Sequence, residues 1–349
     1  MIKKNINDLP LWAVLGQDVF TLQGQLLLLK GTVIKPDMVN KLIASGITEV
    51  YVEGKEESPR ASVRKKPGSN LHRAFLVGQI IVGDMIDQVR SGRPIERGDL
   101  EEAVNILYPE VLHASSMFTQ LWALRRKDEY TMQHSIAVGA FGVKICQLLR
   151  LPQKIAKQVG MAGMMHDIGK VRIPDTVLNK PGALNYLEWE QMKRHPRYGY
   201  EILKSGGDVE REIQLAVLQH HERLDSGGYP LNSPSEKIHL FSRILAIADS
   251  FDAMTSERVY RKPLSVFVAA EELMSDAFKG KLDARIVLLF VNYILDMSPG
   301  QRVILNTGQI AEVILPNKSE PTRPLVKADS DFINLELRRD VWIEDFVRI

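Results

Sequence analysis

The sequence predicts a mainly α-helical protein with a small α/β or β module before its helices and a small β appendage after them. Three observations lead to this fold class. Apolar residues recur at helical spacing with little interruption over residues 71–297. Short apolar runs bounded by turn residues, which are typical of strands, fill residues 1–53. Runs of the same kind return after Pro299-Gly300.

The composition is that of an ordinary globular protein. At 349 residues, the chain is long enough for two or three domains. A formal net charge of +2 argues against an avid, non-specific nucleic-acid binder, although a local Arg and Lys cluster can still bind a small anion. Cys146 is the single cysteine and cannot form an intramolecular disulfide. With no apolar run of ~20 residues and no signal-peptide core, the sequence predicts a cytoplasmic protein.

The first segment, residues 1–53, predicts a small regulatory or docking module. Gly24 separates two strand-like runs, residues 18–21 and 25–29, which favours a hairpin. A short helix and a further strand are predicted after it. Residues 54–70 are rich in charge, Pro, Gly and Ser, which is the composition of a linker. No motif in the module indicates which signal it would read.

The predicted helices fall into two groups. The first two, over residues 71–124, carry no candidate chemistry and are either an oligomerisation stalk or extra core. Asp99 with Glu102 has the signature of a capping box, and Asn185 with Glu188 repeats it before a later helix. The later helices are predicted over residues 153–165, 209–219, 238–254, 264–278 and 283–296.

The last segment, residues 298–349, predicts a small β appendage. Its apolar residues occur in short runs separated by turn residues such as Asn306-Thr307-Gly308. The four predicted strands cover residues 302–305, 310–315, 324–327 and 332–335. We expect this appendage to pack on the helical domain.

Histidines and aspartates at seven positions of the helical segment form the candidate functional site. The adjacent pair His166-Asp167 offers an imidazole and a carboxylate to one spot at the end of an apolar helix. The full set of candidate ligands is His134, His166, Asp167, His195, His220, His221 and Asp249. Seven nitrogen and oxygen donors without a thiolate can hold two divalent metal ions with room for water. They suit Fe, Mn, Zn, Co or Ni rather than a structural Zn site.

The candidate ligands stand in a longer series of ordered motifs. In chain order the series is His134-Ser135, His166-Asp167-Ile168-Gly169-Lys170, Ile173-Pro174-Asp175, Asn179-Lys180-Pro181-Gly182, His195-Pro196, His220-His221-Glu222-Arg223, Gly228-Tyr229-Pro230, Asp249-Ser250-Phe251-Asp252-Ala253-Met254-Thr255 and Arg258-Val259-Tyr260-Arg261. It resembles that of HD-GYP proteins, a bacterial branch of the HD metal-dependent phosphohydrolase superfamily. The resemblance implies a helical HD-type domain over residues 125–297. It also implies a cyclic di-GMP phosphodiesterase that forms linear pGpG and sometimes GMP, in bacterial second-messenger signalling.

The resemblance further implies a role for each matching residue. The first metal ion would be held by His134, His166, Asp167 and Asp249. The second would be held by His195, His220 and His221, with Asp167 as the bridge. Substrate contacts would come from Lys170, Tyr229, Arg258 and Arg261. Catalysis would rest on Asp167 and Lys170, because paired cations ~3.5–4 Å apart activate a water and an ammonium stabilises charge that builds on the phosphate.

Two positions depart from the family's pattern. The family often has a glycine directly after the aspartate that follows the His-His-Glu-Arg run, whereas Ser226 follows Asp225 here. Two glycines remain in this loop, so we expect a small effect. Members with three metals place a glutamate one helical turn before the first ligand, where this chain has Tyr130. Because tyrosine is a poor ligand for that role, we expect two metal ions rather than three.

Other interpretations stay open. A family member can bind cyclic di-GMP or a partner protein without hydrolysing the nucleotide, although all seven candidate ligands are retained here. The same hydrolysis can also act on cyclic GMP-AMP or on linear pGpG. Candidate protein contacts are the loop Gly228-Tyr229-Pro230 and the N-terminal module, and a homodimer is compatible with the sequence.

Overall fold

The fold follows from a computed structural model whose described residues are 2–6, 13–21, 26–32, 34, 38–39, 42–43, 45–52, 71–114, 130–206, 208–256, 263–295 and 299–347. The chain divides into two compact units, Met1–Ser69 and Asn70–Ile349. The predicted class, mainly helical with small strand-rich parts at both ends, is confirmed. The finer division into five segments stays a prediction.

The N-terminal unit is built on two short antiparallel strand pairs. Strand β1 (Ile2–Asn5) pairs with β4 (Glu49–Val52), and β2 (Val19–Phe20) pairs with β3 (Leu26–Leu28). The second pair agrees with the predicted hairpin, whose turn at residues 22–25 lies outside the described residues. A core of apolar side chains is buried in this unit: Ile6, Ala13, Leu15, Val19, Ile34, Leu42, Val50 and Val52.

Among its described residues, the second unit begins with four long helices that pack on one another. They are α1 (Leu71–Arg90), α2 (Arg97–His113), α3 (Tyr130–Leu148) and α4 (Gln153–Met165). Both α1 and α2 contact α3, and α2 also contacts α4. Their fully buried side chains, such as Phe75 and Leu107, make α1 and α2 part of the helical core.

Further helices follow and complete the bundle. A 3₁₀ helix (Ile168–Arg172) leads into α5 (Asp175–Leu178), α6 (Tyr186–Met192), α7 (His195–Ser205), α8 (Arg211–Gln219), α9 (Leu240–Thr255), α10 (Val266–Phe278) and α11 (Ala284–Leu295). The five later helices, predicted between residues 153 and 296, are present, with ends that differ by at most two residues. Across the described residues, no helix has both the length and the apolarity that crossing a bilayer requires.

The two capping-box predictions had opposite outcomes. Asn185 Oδ1 accepts a hydrogen bond from Glu188 N at 2.9 Å and Glu188 Oε2 accepts one from Asn185 N at 2.7 Å, so the box at α6 is confirmed. The box at Asp99 is wrong, because α2 begins earlier, at Arg97. Asp99 lies in the first turn, where the helix dipole favours a carboxylate, and it accepts a hydrogen bond from Gln88 instead.

Helices α3 and α4 meet backbone to backbone. A Cβ atom at Gly163 would lie 2.7 Å from Gly139 Cα, and one at Gly139 would lie 2.9 Å from the carbonyl oxygen of Gly160. Side-chain carbons do not approach other atoms so closely, so these glycines permit the spacing of the two helices. That spacing places the start of α3 and the end of α4, which carry candidate ligands, side by side.

Three phenylalanines hold α9 and α11 against α3. Phe141 on α3 contacts Phe251 on α9 and Phe290 on α11, with ring centroids 5.3 and 5.8 Å apart. Phe251 and Phe290 complete the triangle at 5.2 Å. Edge-to-face pairs are a favourable arrangement of buried aromatic rings. The cluster therefore keeps α9, which carries Asp249, beside α3, which carries His134.

The C-terminal residues form a five-stranded antiparallel sheet. Its strands are β5 (Arg302–Leu305), β6 (Ile310–Leu315), β7 (Leu325–Ala328), β8 (Asp331–Asn334) and β9 (Ile343–Phe346), in the order β8-β7-β6-β5-β9. The first four were predicted to within one residue, and β9 was not predicted. The sheet contacts α10 through Phe346, whose ring lies 4.6 Å from that of Phe267, and through an ion pair of 2.7 Å between Arg323 and Glu271.

Candidate metal centre

The first part of the site is the end of helix α4. His166 Nδ1 lies 2.8 Å from the Gly163 carbonyl oxygen, and because a carbonyl only accepts, Nδ1 carries the proton and leaves Nε2 facing the site. Asp167 follows directly, at the start of the 3₁₀ helix. A Cβ atom at Gly169 would lie 2.0 Å from the His195 carbonyl oxygen, so only glycine fits there. This close approach places Asp167 Oδ1 3.2 Å from His195 Nε2.

Helices α3 and α9 supply the next ligands. His134 Nε2 lies 3.1 Å from Asp249 Oδ1 and 3.8 Å from Asp167 Oδ2. His166 Nε2 lies 3.3 Å from Asp167 Oδ2 and 3.9 Å from Asp249 Oδ1. The other ring nitrogen of His134, Nδ1, lies 2.8 Å from Asp252 Oδ2, one turn beyond Asp249 on α9. A carboxylate in that position fixes the ring orientation of a ligating histidine.

The start of α7 and the end of α8 supply three more imidazoles. His195 opens α7, and His220 and His221 follow α8. His195 Nδ1 donates to the Met192 carbonyl oxygen at 2.8 Å, and His220 Nδ1 donates to that of Val217 at 2.7 Å. The two Nε2 atoms then face each other at 3.3 Å. His221 lies beside them, its ring centroid 4.1 Å from that of His220.

The arrangement fits divalent cations, and the fit is visible in atoms without partners. His195 Nε2 lies 3.3 Å from His220 Nε2 and 3.2 Å from Asp167 Oδ1, so three ligand atoms converge on one point. His166 Nε2 and Asp167 Oδ1 are buried with no hydrogen-bond partner, which protein interiors avoid. In the part of the chain that is described, ligand atoms fall within 4.8 Å of one another in two groups, His134 with His166 and Asp167, and His195 with His220 and His221. These groups can therefore hold metal ions.

Burial sets the charge of the histidines. It lowers the pKa of His220 and of His221 well below the usual value, so both rings are neutral, which is the form that binds a metal. Burial also opposes protonation of His134. There, hydrogen bonds to Asp249 and Asp252 outweigh it and raise the pKa to about 9. In the absence of a cation, His134 therefore carries the proton that pairs with its two carboxylates.

Lys170 stands on the open side of the centre. Its Nζ lies 2.5 Å from Asp167 Oδ2, and its side chain is 29% exposed. Burial opposes ionisation of Asp167, but the interactions with His166 and with the Lys170 ammonium hold the pKa of this carboxyl well below its usual value. Among the ligands, His221 and Asp249 are the most exposed, at 19% and 10% of their side chains. Solvent therefore reaches the centre past Lys170, His221 and Asp249.

A braced loop closes one wall of this opening. Glu222 is buried, and its two oxygens accept hydrogen bonds from the backbone N–H groups of Leu231 at 2.7 Å and Ser233 at 2.8 Å. The same loop carries Tyr229, whose N–H donates to the His221 carbonyl oxygen at 3.2 Å. The Tyr229 ring lies over His221 with centroids 4.6 Å apart and an interplanar angle of 31°. Burial raises the pKa of Tyr229, so its phenol is neutral.

The structure brings most of the predicted site residues together. The seven candidate ligands converge as described, with Lys170 and Tyr229 at the opening. Arg258 and Arg261 lie outside the described residues, as does the side chain of Tyr130, so their roles stay predictions. No role of its own was predicted for Glu222. Its one signal is its position directly after two histidine ligands, where a buried carboxylate can brace the following loop.

Comparisons with known proteins find a family match and similar sequences. The HD domain family profile matches residues 117–286. The cyclic di-GMP phosphodiesterase PA4108 of Pseudomonas aeruginosa is 32% identical over 258 residues, which are 73% of this chain and 62% of that protein. The 3'3'-cGAMP-specific phosphodiesterase 2 of Vibrio cholerae is 36% identical over 156 residues, which are 44% of this chain and 30% of that protein. The chain thus spans less than two thirds of the length of either relative.

A solved structure shares the fold. Bd1817, an HDG"Y"P protein from Bdellovibrio bacteriovorus, superposes with a TM-score of 0.56 over 83% of this chain and 98% of that chain. Sequence identity between the two is 15%, so the likeness concerns the arrangement of the helices and strands. The HD-type fold expected from the motifs is confirmed by this match and by the family profile.

Proposed function

Because residues 117–286 match the HD domain family, we propose that this chain is a metal-dependent phosphodiesterase that hydrolyses cyclic di-GMP to linear pGpG, with GMP as the alternative final product, in bacterial second-messenger signalling. One observation carries the proposal: Asp167 lies within reach of both imidazole groups, 3.3 Å from His166 Nε2 and 3.2 Å from His195 Nε2. A carboxylate shared by two ligand groups is the arrangement that a paired metal centre needs. The name of the Pseudomonas relative supports the choice of substrate.

The chain's own residues orient the substrate and stabilise charge. When bound, two divalent cations would lower the pKa of a water and neutralise charge on a phosphate oxygen. Asp167, kept ionised by its neighbours, would hold both cations. Lys170 places an ammonium at the solvent side of Asp167, where it can contact a phosphate oxygen and stabilise the charge that develops during hydrolysis. Tyr229, Arg258 and Arg261 would complete the substrate contacts.

Two ions rather than three are proposed for the centre. His134, His166, Asp167 and Asp249 would hold one, and His195, His220 and His221 would hold the other with Asp167. Imidazole with carboxylate and no thiolate favours Fe or Mn, and Zn, Co or Ni remain compatible. The third ion is not expected because Tyr130 occupies the position of the additional glutamate.

A second substrate has its own support. The Vibrio cholerae relative is named for 3'3'-cGAMP, which differs from cyclic di-GMP in one base. The phosphodiester chemistry of the two molecules is the same, so the metal centre does not discriminate between them. Cyclic GMP-AMP is therefore the alternative that a substrate assay has to include.

Turnover measurements with a metal count test the proposal. Full-length protein is purified anaerobically, loaded with Mn or Fe, and incubated separately with cyclic di-GMP, cyclic GMP-AMP and pGpG. Chromatography should show cyclic di-GMP consumed fastest, and elemental analysis should give close to two metals per chain. The variants His166→Ala and Asp167→Ala should lose activity by about a thousandfold with unchanged helical content by circular dichroism.

A matched variant controls for the loss of an imidazole. His113 is exposed at the end of α2, with its Nδ1 on the Pro109 carbonyl oxygen, and belongs to neither ligand group. His113→Ala should retain both metal and turnover. A metal-loaded wild-type protein that binds cyclic di-GMP and hydrolyses none of the three nucleotides would refute the enzyme and leave a binding module.

A further inference from the structure

The open side of the centre continues into an exposed aromatic surface. Helix α6 buries none of its residues. Tyr186 is 75% exposed, Leu187 70% and Trp189 43%. Large apolar side chains gathered on one short helix contribute nothing to a core, and such exposed patches commonly mark binding sites. Trp189 is the member of this patch that reaches the candidate site.

A series of rings connects Trp189 to the metal ligands. The Trp189 ring contacts Tyr229 edge to face, with centroids 5.9 Å apart and an interplanar angle of 77°. The ring centroid of Tyr229 lies 4.6 Å from that of His221 and 6.4 Å from that of His195. The rings therefore lead from one ligand group outward, on the side where solvent reaches the centre.

The position of Trp189 is fixed by its own helix. The capping box of Asn185 and Glu188 begins α6, and Lys180 Nζ lies 2.6 Å from Glu188 Oε2. At the other end of the helix, the Met192 carbonyl oxygen accepts the proton of His195 Nδ1. Helix α6 therefore positions both Trp189 and the metal-binding ring of His195. A side chain that is held in place before the substrate binds loses little conformational freedom on binding.

We propose that Trp189 binds a purine base of the substrate by stacking, with Tyr229 as the inner wall. This inference rests on the proposed function, because a phosphodiester at Asp167 and Lys170 directs the attached nucleosides toward the opening. A purine has two flat apolar faces, and an indole is the largest flat surface that a side chain offers. Stacking depends little on which base is present. Trp189 therefore adds affinity for cyclic dinucleotides without choosing between guanine and adenine.

Kinetics of three variants test the role of Trp189. Trp189→Ala should raise KM for cyclic di-GMP by about tenfold or more, which is the range of base stacking on an aromatic side chain, and change kcat by less than about threefold. Trp189→Phe should restore most of the affinity. Leu187→Ala, an exposed neighbour on α6, should match the wild type. An unchanged KM in Trp189→Ala, or the same rise in Leu187→Ala, would overturn the inference.

Tryptophan fluorescence separates this inference from the proposed function. GMP added to the full-length, metal-loaded protein should quench emission in the wild type and in Trp342→Phe, a partly exposed tryptophan on the C-terminal sheet. The quench should be absent in Trp189→Phe. Quenching through Trp189 in a protein without phosphodiesterase activity would keep the base-binding surface and refute the enzyme. Hydrolysis of cyclic di-GMP with no Trp189-dependent quench, and with no change in KM for Trp189→Ala, would keep the enzyme and refute the base-binding surface.

Discussion

The Nε2 atoms of His195 and His220 lie 3.3 Å apart, and the Nδ1 atom of each ring donates to a carbonyl oxygen of the backbone. His195 Nε2 also lies 3.2 Å from Asp167 Oδ1, so three ligand atoms converge at this point. A cation bound there would be held by all three atoms and would stabilise their close approach. Stability and metal binding should be linked as a result.

Metal removal should lower the melting temperature. A ligand present at a hundredfold excess over its Kd stabilises the folded state by about 2.7 kcal/mol, so stripping the ions should cost several degrees. Differential scanning calorimetry with and without a chelator measures the shift. His220→Ala removes one of the converging ligand atoms and should show a smaller shift. Superimposable curves for the wild type with and without chelator would contradict a metal in this position.

Replacing Gly169 should damage both stability and activity. The new Cβ of Gly169→Ala would fall 2.0 Å from the His195 carbonyl oxygen and 2.4 Å from Gly199 N, so α7 has to move away. Overpacking of this kind costs about 1–3 kcal/mol, and it would also separate Asp167 from His195. Thermal melts and turnover measure the two effects. Gly98→Ala, where a Cβ meets no atom within 4 Å, is the control and should lower neither stability nor turnover.

Glu222→Gln should loosen the loop that carries Tyr229. Glu222 accepts two backbone N–H groups, and an amide nitrogen cannot accept the second, so one hydrogen bond is lost at about 1–3 kcal/mol. The expected result is a raised KM for cyclic di-GMP with the metal content unchanged. Glu236→Gln, on the exposed 3₁₀ turn that follows, should behave like the wild type. Loss of metal in Glu222→Gln would instead assign this carboxylate to the metal centre.

Lys144→Met should stabilise the protein at neutral pH. Lys144 is buried on α3, with Nζ 2.8 Å from Gln147 Oε1 and 5.1 Å from the Tyr293 ring centroid. Burial lowers the pKa of Lys144 from 10.5, so keeping its ammonium charged in the folded state costs free energy. Replacing it with the apolar methionine side chain should raise the free energy of unfolding by about 1 kcal/mol.

The pH dependence of that gain has a definite sign. The folded wild type releases the Lys144 proton at lower pH than the unfolded chain does, so its stability rises with pH across that interval. The advantage of Lys144→Met should therefore shrink as the pH approaches 10.5. Melts at pH 7 and pH 10 would show this. Lys204→Met, an exposed lysine over the Tyr200 ring, should give no difference at either pH.

Local sequence signals predicted the presence of helices and strands better than they predicted where a helix begins or which strand lies at the edge of a sheet. Asn185 and Asp99 have the same signature, but only Asn185 begins a helix, because the choice depends on where the preceding chain allows α2 to start. Strand β9 escaped prediction because Glu344 and Asp345 interrupt its apolar alternation. Its pairing with β5, some forty residues earlier, is what makes it a strand.

The residue types of the candidate site could be predicted from the sequence, but the positions of these residues relative to one another could be predicted only in part. The motif order singles out His134 and Asp252, yet their contact spans 118 residues of chain and depends on α3 packing against α9. The path from Tyr229 to Trp189 could not be predicted in this way. Trp189 lies in no motif of its own, and its contact with Tyr229 depends on the loop that Glu222 braces.

The glycine contact between α3 and α4 has a consequence for which cations can enter. Two helices whose main chains are in contact form a stiff frame. Neither helix can move apart from the other without losing the close packing between them. A frame of this kind should add a limit on ionic radius to the preference of the imidazole and carboxylate donors. Calcium, which takes roughly six to eight oxygen ligands at about 2.3–2.6 Å, would require that frame to dilate.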